Sequence, residues 1–255
     1  MDITNQGEVT FSIENKIATV EFYHPLSNSL PGKILNKLAD TITEAGNMDS
    51  VNVIVLKSRG EKAFCAGASF DELIAIKNLE TGKTFFSGFA NVINAARKCS
   101  KLIIGRVHGK AVGGGVGIAS AVDYCFATKY ASLKLSELAV GIGPFVVGPA
   151  VERKAGTSAF SQMAINATKW YDADWGKTHG IYAEVFDSTE GMDAEIEKLA
   201  NQLAKSNPEA MRELKHVFWQ GTEHWDELLT ERAGISGALV LSEFTREAIN
   251  SFKAK

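Results

Sequence analysis

The chain has 255 residues, of which 45% are hydrophobic and 22% are charged, and its formal net charge is −3. These values are typical of an ordinary globular chain, long enough for one large domain or for a core with an appendage. The slight negative charge excludes a broad basic face, so we expect no nucleic acid among the partners.

The first predicted elements are two strands joined by a tight turn. Residues Val9 to Ile13 and Ile17 to Phe22 alternate on either side of that turn, which predicts a hairpin. After Pro31, apolar residues recur at helical spacing, which predicts a helix with one buried face. The mostly apolar run from Val51 to Leu56 then predicts a strand buried on both faces of its sheet.

The middle of the chain repeats this order of strand and helix. A helical region from about residue 70 to 99 precedes a strand from Leu102 to Val107, a glycine turn and a short helix from Ile118 to Ala121. Two more strands are predicted, from Asp123 to Ala127 and from Leu133 to Leu135. Because strands and helices alternate, the chain is predicted to be of the α/β class.

The last part of the chain is predicted to be almost entirely helical. From Met192 onward, apolar stripes such as Ile196, Leu199 and Leu203 recur at helical spacing. The sequence therefore predicts an α/β core over residues 1–190 and a C-terminal helical region over residues 191–255.

Two glycine-rich turns are the candidate functional segments. One runs from Gly109 to Ile118 and carries three successive glycines, and the other runs from Arg59 to Asp71. Each follows a strand and opens a helix, so each could point a backbone N–H at a single oxygen that develops negative charge. The first turn does not have the spacing of a dinucleotide-binding fingerprint, because Ile118 stands where that motif needs its third glycine.

The cysteines and the hydropathy pattern bear on metals, location and membranes. Cys65, Cys99 and Cys125 are odd in number and form no Cys-x-x-Cys pair, which argues for a reducing compartment and against structural zinc. We expect each thiol to be a small packed side chain, and no metal to be bound. The sequence shows neither a signal peptide nor a run of about 18 apolar residues, so we expect a cytoplasmic protein that is not embedded in a membrane.

Three short segments resemble the signatures of a known family. They are Phe64-Cys-Ala-Gly-Ala68, His108-Gly-Lys-Ala-Val-Gly-Gly-Gly115 and Ser136-Glu-Leu-Ala-Val-Gly141, and their order and spacing are similar to those of the crotonase family, the enoyl-CoA hydratases and isomerases. The resemblance extends over essentially the whole chain. It implies a crotonase-like spiral of ββα units whose C-terminal helices pack on neighbouring subunits, in homotrimers that pair into homohexamers. A helical cap on the chain's own core is the alternative for residues 191–255.

The resemblance also implies the site residues. The backbone N–H groups of Ala68 and Gly114 would form an oxyanion hole for a thioester carbonyl, and the Ala66 carbonyl would lie near the adenine of coenzyme A. Gly67 and Gly113 would also belong to the substrate site. Coenzyme A would enter as part of an acyl-CoA substrate, with no tightly bound cofactor.

Glu137 is the one carboxylate within these three segments, and the resemblance makes it the catalytic base. Its neighbours in sequence are apolar, and such surroundings tend to raise the pKa of a carboxyl group toward neutrality, where proton transfer is efficient. The alternative is a glutamate that merely starts a helix, with Ser136 as its cap.

One departure from the family pattern bears on the reaction. Hydratases of the family carry a second glutamate at the position of Gly117, and we expect the glycine to leave a gap there. Dienoyl-CoA isomerases carry an acid at the position of Phe145. A single base suits the shift of a double bond from the 3 to the 2 position of an enoyl-CoA better than it suits hydration.

Three alternatives to this isomerisation remain at the level of sequence. They are hydration with an unrecognised second acid, decarboxylation or hydrolysis that uses the oxyanion hole alone, and acyl-CoA binding without catalysis. Of the spare acids, we expect Asp71 to face solvent and Asp123 to anchor the start of a strand.

Overall fold

A computed structural model describes residues 7–253 of the chain. Its strands are β1 (Glu8–Glu14), β2 (Ile17–Tyr23), β3 (Ser29–Leu30), β4 (Val53–Ser58), β5 (Ala63–Cys65), β6 (Gly67–Ala68), β7 (Leu102–Val107), β8 (Lys110–Val112), β9 (Tyr124–Thr128), β10 (Ser132–Lys134), β11 (Tyr171–Asp172) and β12 (Glu184–Phe186). Its α-helices are α1 (Gly32–Asn47), α2 (Phe70–Ala75), α3 (Leu79–Lys98), α4 (Gly114–Ala121), α5 (Gly148–Ile165), α6 (Ala173–Thr178), α7 (Thr189–Ala204), α8 (Pro208–Phe218), α9 (Trp225–Leu239) and α10 (Glu243–Lys253).

The strands form a large sheet, a smaller sheet and one short pair. The large sheet has the order β1-β2-β4-β7-β9-β12 and is parallel except for the β1–β2 hairpin. The smaller sheet has the order β11-β10-β8-β5, and β3 pairs with β6 in parallel. Helices separate successive strands of the parallel part, so the predicted α/β class is confirmed.

Several element boundaries differ from those predicted. The helical region of residues 70–99 divides into α2 and α3, because Asn78 caps α3 by accepting a hydrogen bond from the Thr81 amide at 2.9 Å. The helix predicted from Ile118 begins four residues earlier, at Gly114, and the turn before it contains the strand β8. Glycine usually weakens a helix, but here it permits a close contact, since a methyl group on Gly115 would collide with the Cys65 carbonyl.

The helices after residue 188 pack on different parts of the fold. α7 covers one face of the large sheet, where Met192 and Ile196 pack on Val53 and Phe126. α9 lies along α3, and α10 contacts the short 3₁₀ turn of residues 137–140. An assembly role for the 191–255 region stays a prediction.

A buried ion pair joins α8 to the large sheet. Asp123 accepts hydrogen bonds from Lys215 Nζ at 2.8 Å, from Trp219 Nε1 at 2.9 Å and from the Ile103 amide at 2.7 Å. The last contact confirms that Asp123 anchors the start of β9. Lys215 is 2% exposed and also donates to the Lys101 carbonyl at 2.9 Å, so each buried charge has hydrogen-bond partners inside the protein.

We expect the substitution Lys215→Met to lower the free energy of unfolding by about 3 to 5 kcal/mol, because it leaves the buried Asp123 carboxylate without its counter-charge. Urea denaturation followed by circular dichroism measures the loss. The matched control is Lys198→Met, which breaks the exposed pair between Lys198 and Glu195 and should cost no more than about 1 kcal/mol. Equal effects of the two substitutions would contradict this account of the buried pair.

Candidate active site

A cavity of about 180 Å³ lies where the two glycine-rich segments meet. Its backbone walls come from Ala66, Gly67 and Ala68 on one side and from Gly113 and Gly114 on the other. Glu137 faces the same space. All six residues predicted from the sequence therefore lie around a single cavity.

Asn28 holds the first of these walls in place. Its side-chain amide donates to the carbonyls of Arg59 at 2.8 Å and Ala63 at 3.0 Å, and its Oδ1 accepts from the His24 amide at 2.7 Å. Its own carbonyl accepts from the Ala66 amide at 3.1 Å. No local sequence pattern marks Asn28 for this role, because its carbonyl partners lie 31 and 35 positions further along the chain.

The second wall is the turn between β8 and α4. Gly113 has a φ of +51°, which favours glycine, and its amide donates to the Lys134 carbonyl at 2.8 Å. Gly114 is the first residue of α4, so its N–H has no acceptor within the helix. A methyl group on Gly67 would lie 3.9 Å from the Gly114 nitrogen, which shows how closely the two walls approach.

The glycine at position 114 is required by packing. A methyl group there would collide with the ring of Phe89 on α3. The missing side chain at position 114 therefore makes room for Phe89. Gly114 itself lines the cavity with backbone atoms.

Glu137 begins the 3₁₀ turn of residues 137–140, and its carboxyl group lies against Gly113. A methyl group on Gly113 would lie 2.9 Å from Oε1 and 3.3 Å from the carboxyl carbon. The residue as a whole is half-buried, but its Oε2 is buried and has no hydrogen-bond partner among the described residues. Burial raises the pKa of Glu137 to about 7, and a hydrogen bond from its own backbone opposes the rise in part.

The side chain of Ser136 makes no capping hydrogen bond to this turn. The alternative of a simple capped helix start therefore lacks the contact that would define it. A carboxyl group with an unpartnered buried oxygen and a pKa near neutrality can instead exchange a proton with a molecule in the cavity.

The end of the 3₁₀ turn is supported by the last helix. Thr245 on α10 is fully buried, and its Oγ1 donates to the Gly141 carbonyl at 3.2 Å. Gly141 has a φ of +80° and leaves no room for a side chain beside Thr245 and Phe244. Nothing in the sequence pattern signals this contact, since the two residues are about a hundred positions apart.

The position of Gly117 holds no gap. A methyl group there would lie 2.6 Å from the Val147 side chain, and Gly117 does not line the cavity. Val147 and Phe145 do line it. The expected space for a second carboxylate is therefore filled, and Asp71, one of the spare acids, is exposed as predicted.

Neither a metal cluster nor a disulfide is found in residues 7–253. No group of three or more His, Cys, Asp or Glu side chains there is arranged to hold a metal ion. Cys65, Cys99 and Cys125 are buried and unbridged, and burial raises the pKa of the Cys65 and Cys125 thiols to about 12. Within the same residues, no helix has both the length and the apolar character to cross a membrane.

Comparison with known proteins places nearly the whole chain in one family. Residues 12–253 match the model of the family described as enoyl-CoA hydratase/isomerase. The chain is 27% identical over 258 residues to a short-chain-enoyl-CoA hydratase of Clostridium acetobutylicum, covering 100% of this chain and 97% of that protein. It is 25% identical over 217 residues to a peroxisomal Delta(3,5)-Delta(2,4)-dienoyl-CoA isomerase of Arabidopsis thaliana, covering 79% of this chain and 76% of that protein.

The fold is shared with solved structures. An enoyl-CoA hydratase from Bacillus halodurans superposes with a TM-score of 0.88 at 16% identity, covering 95% of this chain and 99% of that one. This similarity confirms the predicted crotonase-like fold. The family match and the relatives show that the chain is an enzyme of the crotonase superfamily and a member of the enoyl-CoA hydratase/isomerase family, which acts on coenzyme A thioesters.

Proposed function

We propose that this enzyme moves the double bond of an enoyl-CoA from the 3 to the 2 position, with Glu137 as its single base. The observation that carries the proposal is the make-up of the cavity. Among the described residues that line it, Glu137 is the one ionisable side chain. One carboxylate is enough to take a proton from one carbon and return it two carbons away.

The proposed reaction starts with proton removal. The Glu137 carboxylate takes a proton from C2, between the thioester carbonyl and the double bond, and the electron pair moves onto the thioester oxygen. The N–H groups of Ala68 and Gly114 bind that oxygen as it becomes negative. Loss of one such donor typically costs about 3 kcal/mol of barrier.

The same carboxyl group then completes the reaction. The neutral Glu137 carboxylic acid gives its proton to C4, the electron pair returns from the oxygen, and the double bond lies between C2 and C3. A pKa of about 7 lets Glu137 act first as a base and then as an acid without a large driving force against either step.

Coenzyme A is proposed to bind along the backbone segments that line the cavity. We propose that the Ala66 carbonyl lies near the adenine and that the backbone of Gly67 and Gly113 flanks the thioester. These residues line the cavity with backbone atoms, so the side chains there need only be small.

Hydration of a 2-enoyl-CoA is the second candidate, because several relatives are named hydratases. Hydration needs one group to orient water and another acid to complete protonation. Val147 occupies the space beside Gly117 where such an acid would stand, which favours isomerisation.

We expect Glu137→Gln to lower the isomerisation rate by about 10² to 10⁴ while acyl-CoA binding persists, because the amide keeps the size and loses the base. The wild-type rate should rise with pH through about 7 and level off above it, since only the carboxylate removes a proton. Rates at a series of pH values and calorimetric titration with acyl-CoA measure both effects.

The matched control for Glu137→Gln is Asp71→Asn, which changes an exposed carboxylate on the neighbouring helix α2 and should leave the rate unchanged. A Glu137→Gln protein that turns over within a few-fold of wild type would show that Glu137 is not the base.

On one acyl chain, we expect the wild type to isomerise the 3-enoyl-CoA at least tenfold faster than it hydrates the 2-enoyl-CoA. A carboxylate introduced by Gly117→Glu needs Val147 shortened as well, so the double variant Gly117→Glu/Val147→Ala should raise hydration relative to isomerisation. Val147→Ala alone is the control. Efficient hydration by the wild type would replace the isomerase proposal with the hydratase.

We also propose that the enzyme assembles as a homotrimer or homohexamer through its 191–255 region. The support is an exposed apolar face of α8 formed by Leu214, Val217 and Phe218, which recur at helical spacing. Such a face is more typical of an interface than of a surface in water. The three buried, unbridged thiols fit a cytoplasmic location, which belongs to the same proposal.

Light scattering after size-exclusion chromatography should therefore give a mass of three or six chains for the wild type. We expect Val217→Glu to reduce this mass, because a charge on that face cannot be buried without a partner. The control Leu79→Glu, at an exposed apolar position on α3, should keep the wild-type mass. A monomeric wild type would overturn the assembly proposal.

A further inference from the structure

The cavity beside Glu137 is bounded by a close crossing of two helices. α3 and α9 touch at Gly82 and Gly237, where a methyl group on Gly82 would lie 2.8 Å from the Gly237 Cα. A methyl group on Gly237 would lie 2.7 Å from the Lys83 nitrogen. Backbone meets backbone here, so the two helices leave no channel between them at this point.

The residues beside this crossing line the cavity. Ser236, which precedes Gly237 on α9, is 1% exposed and faces the cavity together with Phe85 and Phe86 on α3. The rings of Phe85 and Phe86 pack edge to face with centroids 5.0 Å apart. The α3–α9 crossing therefore forms a closed end of the cavity, with Phe85 and Ser236 as its lining.

The rise per residue along α3 gives the depth of the cavity. Phe89 lies against Gly114, where the proposed function places the thioester oxygen, and Phe85 is one turn earlier on the same helix. Four residues of an α-helix rise about 6 Å, so Phe85, which lines the cavity, lies about 6 Å from Phe89 along the helix axis. A depth of about 6 Å accommodates about four to five carbon–carbon bonds, because each bond of about 1.5 Å advances a zigzag chain by only about 1.25 Å.

The wall of the cavity is almost entirely uncharged. Besides Glu137, the described lining residues are uncharged, and most are aromatic or aliphatic. Arg232 on α9 donates to the Phe145 carbonyl at 3.5 Å and is not among the lining residues. A carboxylate at the far end of the acyl group would therefore lose its water without gaining a cation as a partner. It would also share the cavity with the carboxyl group of Glu137.

We propose that the acyl group of the substrate is uncharged and short, about four to six carbons long, and that Phe85 and Ser236 set this limit. The inference rests on the proposed function, which puts the thioester carbonyl at Ala68 and Gly114. It adds a substrate class and two specificity-determining residues to that function.

The test uses binding of saturated acyl-CoA thioesters, measured by calorimetric titration. Hexanoyl-CoA should bind at least about tenfold more tightly than decanoyl-CoA, because methylenes beyond the closed end cannot be buried. Pentanoyl-CoA should bind at least about tenfold more tightly than glutaryl-CoA, which has the same length and adds a terminal carboxylate.

Two variants should shift this preference in opposite directions. Phe85→Ala deepens the cavity and should bring decanoyl-CoA to within a few-fold of hexanoyl-CoA, whereas Ser236→Val should weaken hexanoyl-CoA relative to butyryl-CoA. The control Leu79→Ala removes an exposed apolar side chain from the same helix and should leave the order unchanged. If Phe85→Ala does not fold, the wild-type series and Ser236→Val still decide the matter.

Equal binding of hexanoyl-CoA and decanoyl-CoA by the wild type would overturn the length limit, and equal binding of pentanoyl-CoA and glutaryl-CoA would overturn the charge limit. A saturated chain has no double bond to move or to hydrate, so these binding results do not depend on the proposed isomerisation. If the series holds and no isomerisation is detected, the proposed function fails and the assignment of the cavity stands. If isomerisation is detected but the acyl-CoA thioesters bind without the expected preferences, the proposed function stands and the limits on the acyl group fail.

Discussion

The contact between the Glu137 carboxyl group and Gly113 is the constraint on which the site depends. The carboxyl group can lie there only because residue 113 has no side chain, since a methyl group would lie 2.9 Å from Oε1. The same glycine adopts a φ of +51° and directs the chain from β8 into α4. One residue thus provides space for the carboxylate and sets the start of the helix whose first residue, Gly114, lines the cavity.

The smaller sheet makes this contact rigid. The Gly113 amide donates to the Lys134 carbonyl at 2.8 Å, and Lys134 pairs with Val112 across the parallel strands β8 and β10. Glu137 follows Lys134 by three residues, so the backbone hydrogen bond fixes the distance between the glycine turn and the acid. Burial disfavours the charged form of the carboxyl group and raises its pKa to about 7. Because the backbone hydrogen bond holds Glu137 in place, the carboxyl group stays in this buried position.

The sequence predicts those features that depend on local pattern. Short stretches of sequence, and the order in which they follow one another, are enough to predict four features. These are the β1–β2 hairpin, the α/β class, the two glycine-rich turns and the apolar surroundings of Glu137. The sequence cannot show which glycines face a ligand and which face a neighbouring side chain. Gly114 makes room for Phe89 and Gly117 makes room for Val147, and both partners lie about 25 to 30 positions away in the chain. The gap predicted at Gly117 was wrong for this reason.

The site is assembled from contacts between distant segments of the chain. Asn28 orients the wall that contains Ala66, the glycine turn is tied to β10 through Gly113, and Thr245 supports the turn that begins at Glu137. None of these contacts includes the Glu137 carboxyl group or the N–H groups of Ala68 and Gly114, yet each sets the position of a segment that carries one of them. Because the proposed proton transfer and oxyanion binding both depend on placement within a fraction of an ångström, they require the folded chain from Asn28 to Thr245 to act as one unit. The helical C-terminal segment therefore contributes to the geometry around Glu137 as well as to the surface of the protein.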